Sequence, residues 1–301
     1  MVLLLALLQI VLFQLVLPLC FLFLLWKEKN SSKFEWIFKV LAVVMIVGWI
    51  FQTGRWDWFG YYFRYIMILL LFVSLFFSWK KVKALPFYVK PTGKQKVNIG
   101  IFALLTIIFG FYNGGALSGY ATQQQAIELS FPLKDGTYYV GHGGNHTQIN
   151  YHNAYEPQQF ALDILKLNKL GIRAKGFYPK ELDKYAIYGD ILYSPCNGEV
   201  LESRNHLPDM NPSEMDSEHP EGNYVAISCE NTDSVVYIAH MKKDSVKVVE
   251  GDNVKEMDPI GLVGNSGNSS EPHLHIHAEK DGIGIPIKFN DQFLLRNNLI
   301  R

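Results

Sequence analysis

The chain has 301 residues and a formal net charge of zero, but its charges are unevenly distributed. Residues 1–120 hold 12 Lys and Arg against 3 acidic residues, whereas residues 121–301 hold 16 against 25. An acidic domain repels phosphates and the basic part lacks the aromatic motifs of RNA-binding domains, so no nucleic-acid partner is expected. We predict an apolar region over residues 1–120 and a water-soluble domain over residues 121–301.

Four apolar stretches in the first region predict transmembrane helices, because about 20 apolar residues cross a bilayer. They are residues 1–26, 34–51, 58–79 and a shorter stretch that begins near residue 98 and ends between residues 112 and 120. The first stretch has neither the positively charged start nor the small-residue cleavage site of a secretory signal, so we expect it to be retained. The lipid bilayer is therefore a predicted partner of this region.

The distribution of Lys and Arg predicts an orientation, because short loops rich in these residues stay on the cytoplasmic side. The first and third predicted loops carry three and six Lys, whereas the second carries only Arg55. This places the C-terminal domain of a multi-pass cell-membrane protein outside the cytoplasm. The spans hold few polar groups beyond Gln9, Gln14 and Arg64, which favours an anchor over a transport path. A role of the spans in binding a membrane-protein partner is the alternative.

The second region predicts a mainly antiparallel β-domain, because short alternating apolar runs are bounded by Gly, Pro, Asn and Asp. The predicted strands are residues 137–140, 160–165, 198–201, 223–229, 235–240, 260–263 and 273–279. Residues 202–222 form a polar, acidic insertion that we interpret either as a lid or as a solvated loop. Cys196 and Cys229 form either a disulfide or two buried thiols.

The strongest chemical signal is the run HLHIH at residues 273–277, because alternate side chains of a strand share a face. A hydrolytic zinc ion usually has three protein ligands from His, Asp or Glu and one open position. One strand cannot easily supply all three. Asp163 is a candidate donor, because a carboxylate inside an apolar strand is costly unless it is paired or bound to a cation. A hydrogen-bonded core carboxylate is the alternative interpretation of Asp163.

Residues 260–278 carry Gly-x-x-Gly-Asn-Ser-Gly-Asn-Ser and then Pro-His-Leu-His, a pattern that resembles the lysostaphin-type, LytM-like zinc metallopeptidases. Residues 194–200, 222–225 and 235–240 also look like strands of this family, and the resemblance extends over about residues 151–287. It implies a small β-sheet domain with Zn²⁺ on the floor of a groove. It also implies hydrolysis of peptide cross-links of bacterial peptidoglycan by a zinc-activated water.

The resemblance assigns roles to four residues. Asp163 and His275 would be metal ligands, and His240 and His273 would be catalytic histidines that orient or deprotonate the water. His277, on the same strand face, would line the groove rather than bind the metal.

The chain departs from the family at the remaining metal ligand. The family usually has a histidine four residues before the aspartate, where this chain has Gln159, and Gln is a poor zinc ligand. His152 lies where similar family variants carry an upstream histidine, and we predict that it completes the site, with His146 as the second choice. If neither reaches the metal, the alternative function is an inactive LytM-like domain that binds cell wall or activates a partner hydrolase.

Overall fold

The computed structural model describes residues 2–230 and 232–301, which divide into two compact units. The first unit holds the residues up to Trp56 together with Tyr62–Leu117. The second unit holds Ser118–Arg301 together with the short segment Asp57–Tyr61.

The first unit is helical. Its elements are α1 (Val2–Val11), a π-helical turn (Leu12–Val16), α2 (Leu17–Lys27), α3 (Lys33–Thr53), α4 (Phe63–Val82) and α5 (Gly93–Ser118). Within the described residues, four helical stretches are long and apolar enough to cross a membrane: Leu7–Lys27, Lys33–Thr53, Phe63–Val82 and Gly93–Ser118. The prediction of four long apolar helices is therefore confirmed.

The start of the third helix was predicted wrongly. It begins at Phe63 rather than near residue 58, because Trp56–Trp58 form a 3₁₀ turn and Gly60 has a φ of 100° that ends the turn. Hydropathy does not distinguish aromatic residues in such a turn from aromatic residues in a span.

Apolar side chains of α2, α3 and α4 form the core of the helical unit: Leu22, Leu25, Val43, Ile46, Val47, Ile50, Met67 and Leu71. The α3 helix also contains a buried cation, since Lys39 pairs with Glu28 at 2.8 Å and with Glu35 at 3.3 Å. Lys39 and Glu35 thus add to the few polar groups identified in the predicted spans. An i,i+4 partner and a second carboxylate explain how the Lys39 charge is tolerated.

The second unit is a β-domain. Its strands are β1 (Ile127–Glu128), β2 (Thr137–His142), β3 (Leu162–Leu167), β4 (Ile191–Tyr193), β5 (Gly198–Arg204), β6 (Asn223–Cys229), β7 (Val235–Met241), β8 (Asn253–Val254), β9 (Pro259–Leu262), β10 (Leu274–Lys280), β11 (Ile283–Ile285), β12 (Ile287–Phe289), β13 (Gln292–Phe293) and β14 (Leu299–Ile300). All seven predicted strands are present, and the strands that were missed are two or three residues long. So short a strand shows no alternating pattern.

Nine strands form one antiparallel sheet in the order β14-β2-β3-β10-β7-β6-β5-β8, with β11 paired to β10. Strands β1, β12 and β13 form a small second sheet, and β4 pairs with β9. The predicted fold class, apolar helices followed by a mainly antiparallel β-domain, is confirmed. Strand β10 lies at the centre of the large sheet.

The two faces of β10 explain how the site is oriented. Leu274, Ile276 and Ala278 are at most 1% exposed and belong to the core, so His275 and His277 point to the opposite face. Burying a Leu or Ile side chain stabilises a fold by roughly 1.5–3 kcal/mol. A one-residue slip of β10 would lose that burial, and the core thereby fixes the direction of the histidines.

Residues 205–222 of the acidic insertion form a loop packed along residues 264–270, whereas residues 202–204 belong to β5. The backbone N–H groups of Met210, Ser213 and Asp216 donate to carbonyl oxygens of this segment at 2.9–3.0 Å. These bonds contradict the interpretation of a merely solvated loop, whereas a lid function stays a prediction.

Of the two interpretations of the cysteines, the structure has the disulfide. Cys196 and Cys229 are bonded, with their Cα atoms 5.7 Å apart.

Candidate metal and catalytic site

The sheet register places a carboxylate beside an imidazole. Strand β10 pairs with β3 so that His275 lies opposite Asp163, and with β7 so that His275 lies opposite Ala239. Directly opposite residues of neighbouring strands share a face. The side chains of Asp163 and His275 therefore meet, and His275 Nδ1 lies 3.0 Å from Asp163 Oδ1.

His152 reaches the same carboxylate from a separate segment. It lies in the 3₁₀ turn Tyr151–Ala154, and its Nε2 is 3.0 Å from Asp163 Oδ1. The turn is fixed by Asn150, whose side-chain oxygen accepts a bond from the His152 N–H. The Asn150 amide donates to the carbonyls of Gly144 and Ala161, at 3.0 and 3.1 Å. Asn150 was not predicted from the sequence, where its one signal is that Asn is suited to cap the start of a helical turn.

A β-bulge aims His240 at the site. Between two paired positions of β6 and β7, β7 has one residue more than β6, and His240 adopts a left-handed φ of 57°. In a regular strand His240 would face away from its neighbour Ala239, but both line the same cleft. Bonds from His240 N to Glu221 O and from Gly264 N to His240 O hold this backbone in place. A bulky residue with positive φ is unusual and often marks a functional site.

The three predicted ligands fit a zinc ion. The donor atoms of His152, Asp163 and His275 lie within 4.8 Å of one another, and all three side chains are buried. Ligand atoms about 2.0–2.2 Å from a tetrahedral zinc ion lie roughly 3.3–3.5 Å apart, close to the two 3.0 Å distances to Asp163. Two imidazoles and one carboxylate form a donor set that zinc favours. The ligand roles themselves stay predictions.

The electrostatics of Asp163 agree with a cation at this position. Burial raises its pKa, but His152 and His273, by charge and by hydrogen bonding, lower it well below the usual range. The carboxylate is therefore ionised and surrounded by imidazoles. Burial lowers the pKa of His275 to about 4, with a smaller contribution from the charges of His152 and His273 and against the raising effect of Asp163, so His275 is neutral and able to bind a metal near pH 7.

A second group of possible donors, His240, His273 and His275, shares only His275 with the first. Two of its members, His240 and His273, contact backbone carbonyl oxygens, which can only accept hydrogen bonds. His240 Nδ1 donates to Ser266 O at 2.9 Å, and His273 Nδ1 donates to Glu271 O at 2.8 Å. Both neutral rings therefore carry their lone pair on Nε2. His273 Nε2 is buried and lies 3.4 Å from Asp163 Oδ1.

The two histidines differ in their environment. Burial, together with nearby His273 and His275, lowers the pKa of His240 well below its ordinary value. Burial also acts to lower the pKa of His273, but the adjacent Asp163 carboxylate outweighs it and the pKa of His273 is raised. Paired titratable groups pushed in opposite directions are typical of acid and base roles.

His277 supports the proposed ligand His275. Its Nδ1 lies 3.1 Å from His275 Nε2, and its ring stacks on Tyr237 with an interplanar angle of 5°. Burial and the charge of His275 lower the pKa of His277 well below its ordinary value, so it is neutral and can accept the His275 Nε2–H. Such a partner fixes the tautomer of a metal ligand.

The site opens into a cleft of about 330 Å³. His152, His240, His275 and His277 form part of its lining, and the exposed rings of Tyr151 and Tyr155 stand beside them.

Neither Gln159, at the family's usual ligand position, nor His146, the second choice, belongs to a donor group. The Gln159 side chain donates to Gly284 O at 3.3 Å, on the edge of the sheet. His146 belongs to neither donor group, and its Nδ1 accepts a bond from the Gln148 N–H. The second choice, His146, is therefore unnecessary, because His152 reaches Asp163.

Comparison with known proteins identifies the β-domain. Residues 181–286 match the model of peptidase family M23, a range that includes His240, His273 and His275 but begins after His152 and Asp163. The C-terminal part of this chain thus contains a peptidase family M23 domain, which confirms the resemblance to LytM-like peptidases.

Individual relatives match over limited lengths. An uncharacterized metalloprotease of Buchnera aphidicola subsp. Baizongia pistaciae (strain Bp) is 48% identical over 54 residues, which are 18% of this chain and 14% of that protein. A zinc-containing peptidase from Vibrio cholerae is 19% identical over 54% of this chain and 39% of that chain, with a TM-score of 0.31. The catalytic domain of lysostaphin from Staphylococcus simulans is 20% identical over 42% of this chain and 82% of that chain, with a TM-score of 0.22.

Proposed function

We propose that this chain is a membrane-anchored zinc metalloendopeptidase that cuts peptide cross-links of bacterial peptidoglycan outside the cytoplasm. The observation that carries the proposal is the convergence of His152, Asp163 and His275, with two further histidines held with fixed tautomers beside them. The M23 domain supports peptidase activity.

His152, Asp163 and His275 would hold the metal. A zinc ion bound there would polarise the scissile carbonyl and acidify water, lowering its pKa to about 7. His240 Nε2 is then free to take the proton that the attacking water loses, because the Ser266 carbonyl occupies its Nδ1–H. His273, once protonated at Nε2, can donate a hydrogen bond to the developing oxyanion or a proton to the leaving amine.

Two observations support a location outside the cytoplasm. Asp57–Tyr61 belong to the same compact unit as Ser118–Arg301, so this segment and the β-domain share one side of the bilayer. The loop that contains the segment is the poorly basic one, which the charge distribution also places outside. The disulfide Cys196–Cys229 agrees, because disulfides persist in oxidising compartments.

Peptidoglycan as substrate rests on the resemblance to LytM-like peptidases, and the cleft of about 330 Å³ beside Tyr151 and Tyr155 suits Gly- or Ala-rich peptides. The inactive alternative is less well supported, because the donor set is complete without Gln159.

The test uses the purified full-length chain in detergent and His275→Ala as the inactive control. We expect about one zinc ion per chain and release of soluble fragments from purified peptidoglycan. EDTA should abolish the release and added zinc should restore it, whereas the variant should release nothing. A zinc-loaded wild-type chain that cuts neither peptidoglycan nor short glycyl peptides would refute the proposal.

A further inference from the structure

The segment Asp57–Tyr61 lies between α3 and α4 in sequence but is an integral part of the β-domain. Backbone bonds join it to the chain after β3. Arg173 N donates to Asp57 O at 3.1 Å, and Tyr61 N donates to Gly171 O at 2.9 Å. The side chains of Asp57, Trp58 and Tyr61 are all buried. The β-domain is therefore incomplete without five residues from a loop between two predicted spans.

Arg173 is the centre of the contact. It is 1% exposed, and its Nε lies 2.6 Å from Glu271 Oε2 and 3.5 Å from Asp57 Oδ2. The guanidinium carbon lies 3.8 Å from the centroid of the Trp58 ring. A buried guanidinium needs carboxylate partners and is stabilised by an aromatic face. The Asp57–Tyr61 segment supplies one of the carboxylates and that face.

Two routes lead from this contact to His273. Glu271, the close partner of Arg173, uses its carbonyl oxygen to accept the His273 Nδ1–H at 2.8 Å. Trp58 also stacks on Tyr178, with ring centroids 5.5 Å apart, and the Tyr178 hydroxyl donates to Ser270 O at 2.7 Å. Both routes end in the short segment before His273.

We propose that the Asp57–Tyr61 segment is a positioning element for His273, acting through Arg173 and Glu271 and through Tyr178. The kinetic consequences of this inference rest on the proposed function, whereas its structural consequences do not. The segment holds the Glu271 carbonyl where it fixes the His273 tautomer and aims Nε2 into the site. Displacement of the segment would free the His273 ring without removing any of the three proposed metal ligands.

The first test measures the His273 ring directly, in full-length protein labelled with ¹⁵N-histidine and kept in detergent. His273→Ala assigns the signal, and the neutral His273 ring of the wild type should be protonated at Nδ1 alone. Trp58→Ala and the milder Tyr178→Phe should each produce a mixture of tautomers, and Trp58→Phe should restore most of the wild-type signal. Tyr61→Phe is the matched control, because it removes a bond from the same segment to Asn297 O that does not lead to Glu271.

An unchanged His273 signal in folded Tyr178→Phe would overturn the inference, even if Trp58→Ala failed to fold. A change of equal size in Tyr61→Phe would also overturn it, because the effect would then be general loosening of the segment. Neither result requires the protein to be an active peptidase.

The second test is kinetic and uses a quenched fluorescent pentaglycine peptide. Trp58→Ala should lower kcat by about 10- to 100-fold with zinc content and KM nearly unchanged, because misplacing a catalytic group by about 1 Å can cost that much. In a His273→Ala background, Trp58→Ala should cause no further loss. Equal losses in both backgrounds would refute action through His273. Absence of hydrolysis by the wild type would instead refute the proposed function.

Discussion

The role of His152 in place of Gln159 gives the sharpest prediction about the metal site. His152 Nε2 contacts the central carboxylate Asp163 at 3.0 Å, whereas Gln159 donates away from the site to Gly284 O. Changing a residue that only supports a metal ligand typically weakens binding by roughly 10- to 100-fold. Loss of His152 as a direct ligand should cost at least about 100-fold, or about 2.8 kcal/mol.

This weakening should also appear as lost stabilisation by zinc. At free zinc about 100 times the wild-type Kd, binding stabilises the fold by about 2.7 kcal/mol. A 100-fold weaker His152→Ala variant at the same zinc concentration would gain only about 0.4 kcal/mol. Zinc should therefore protect the wild type by about 2.3 kcal/mol more than the variant.

The assay is competition for zinc with a chromophoric chelator, together with denaturant unfolding of each variant with and without zinc. Gln159→Ala is the matched control and should keep its zinc Kd within about threefold, because the Gln159 side chain donates to Gly284 O of the neighbouring hairpin. If His152→Ala bound zinc as the wild type does, or Gln159→Ala lost zinc to the same extent, the assignment of His152 would be refuted.

Four further predictions follow from named contacts. His240→Gln should lower kcat by about 10²- to 10⁴-fold while elemental analysis shows zinc retained, and loss of the metal would contradict its role as a base. Asn150→Ala should weaken zinc binding by about 10- to 100-fold in the chelator assay, because the buried Asn150 amide holds the His152 turn. An unchanged zinc affinity would refute the role of Asn150 in positioning His152. In metal-free protein the pKa of His275 is about 4 in the folded state and near 6.5 in the unfolded state. Unfolding therefore takes up a proton at pH values between about 4 and 6.5. In unfolding experiments at a series of pH values, the contribution of His275 to the free energy of unfolding should be fully present above about pH 6.5 and smaller by about 3 kcal/mol at pH 4. A midpoint that does not depend on pH would contradict this prediction. The double change Cys196→Ser with Cys229→Ser removes a cross-link between residues 33 apart and should cost about 3–4 kcal/mol in a denaturant titration, whereas a loss below about 1 kcal/mol would contradict the loop-closure argument.

Sequence alone determined the features that local periodicity controls. Runs of apolar residues fixed the four long helices, and alternation fixed the seven longer strands, because both patterns are set by the neighbours of a residue along the chain. Alternation also predicted that His275 and His277 share a face, since Leu274 and Ile276 must be buried on the other. The glycine-rich pattern before His273 was sufficient to indicate the peptidase family.

Only the tertiary structure decided which residues from distant segments meet. The contact of His152 with Asp163 depends on a 3₁₀ turn that Asn150 holds, and the direction of His240 depends on a bulge in β7. Neither arrangement leaves a periodic trace in the sequence. The inclusion of Asp57–Tyr61 in the β-domain likewise depends on Arg173, whose charge can be buried only where partners from both segments converge. Pairings of this kind are set by three-dimensional packing, which hydropathy and spacing along the chain do not encode.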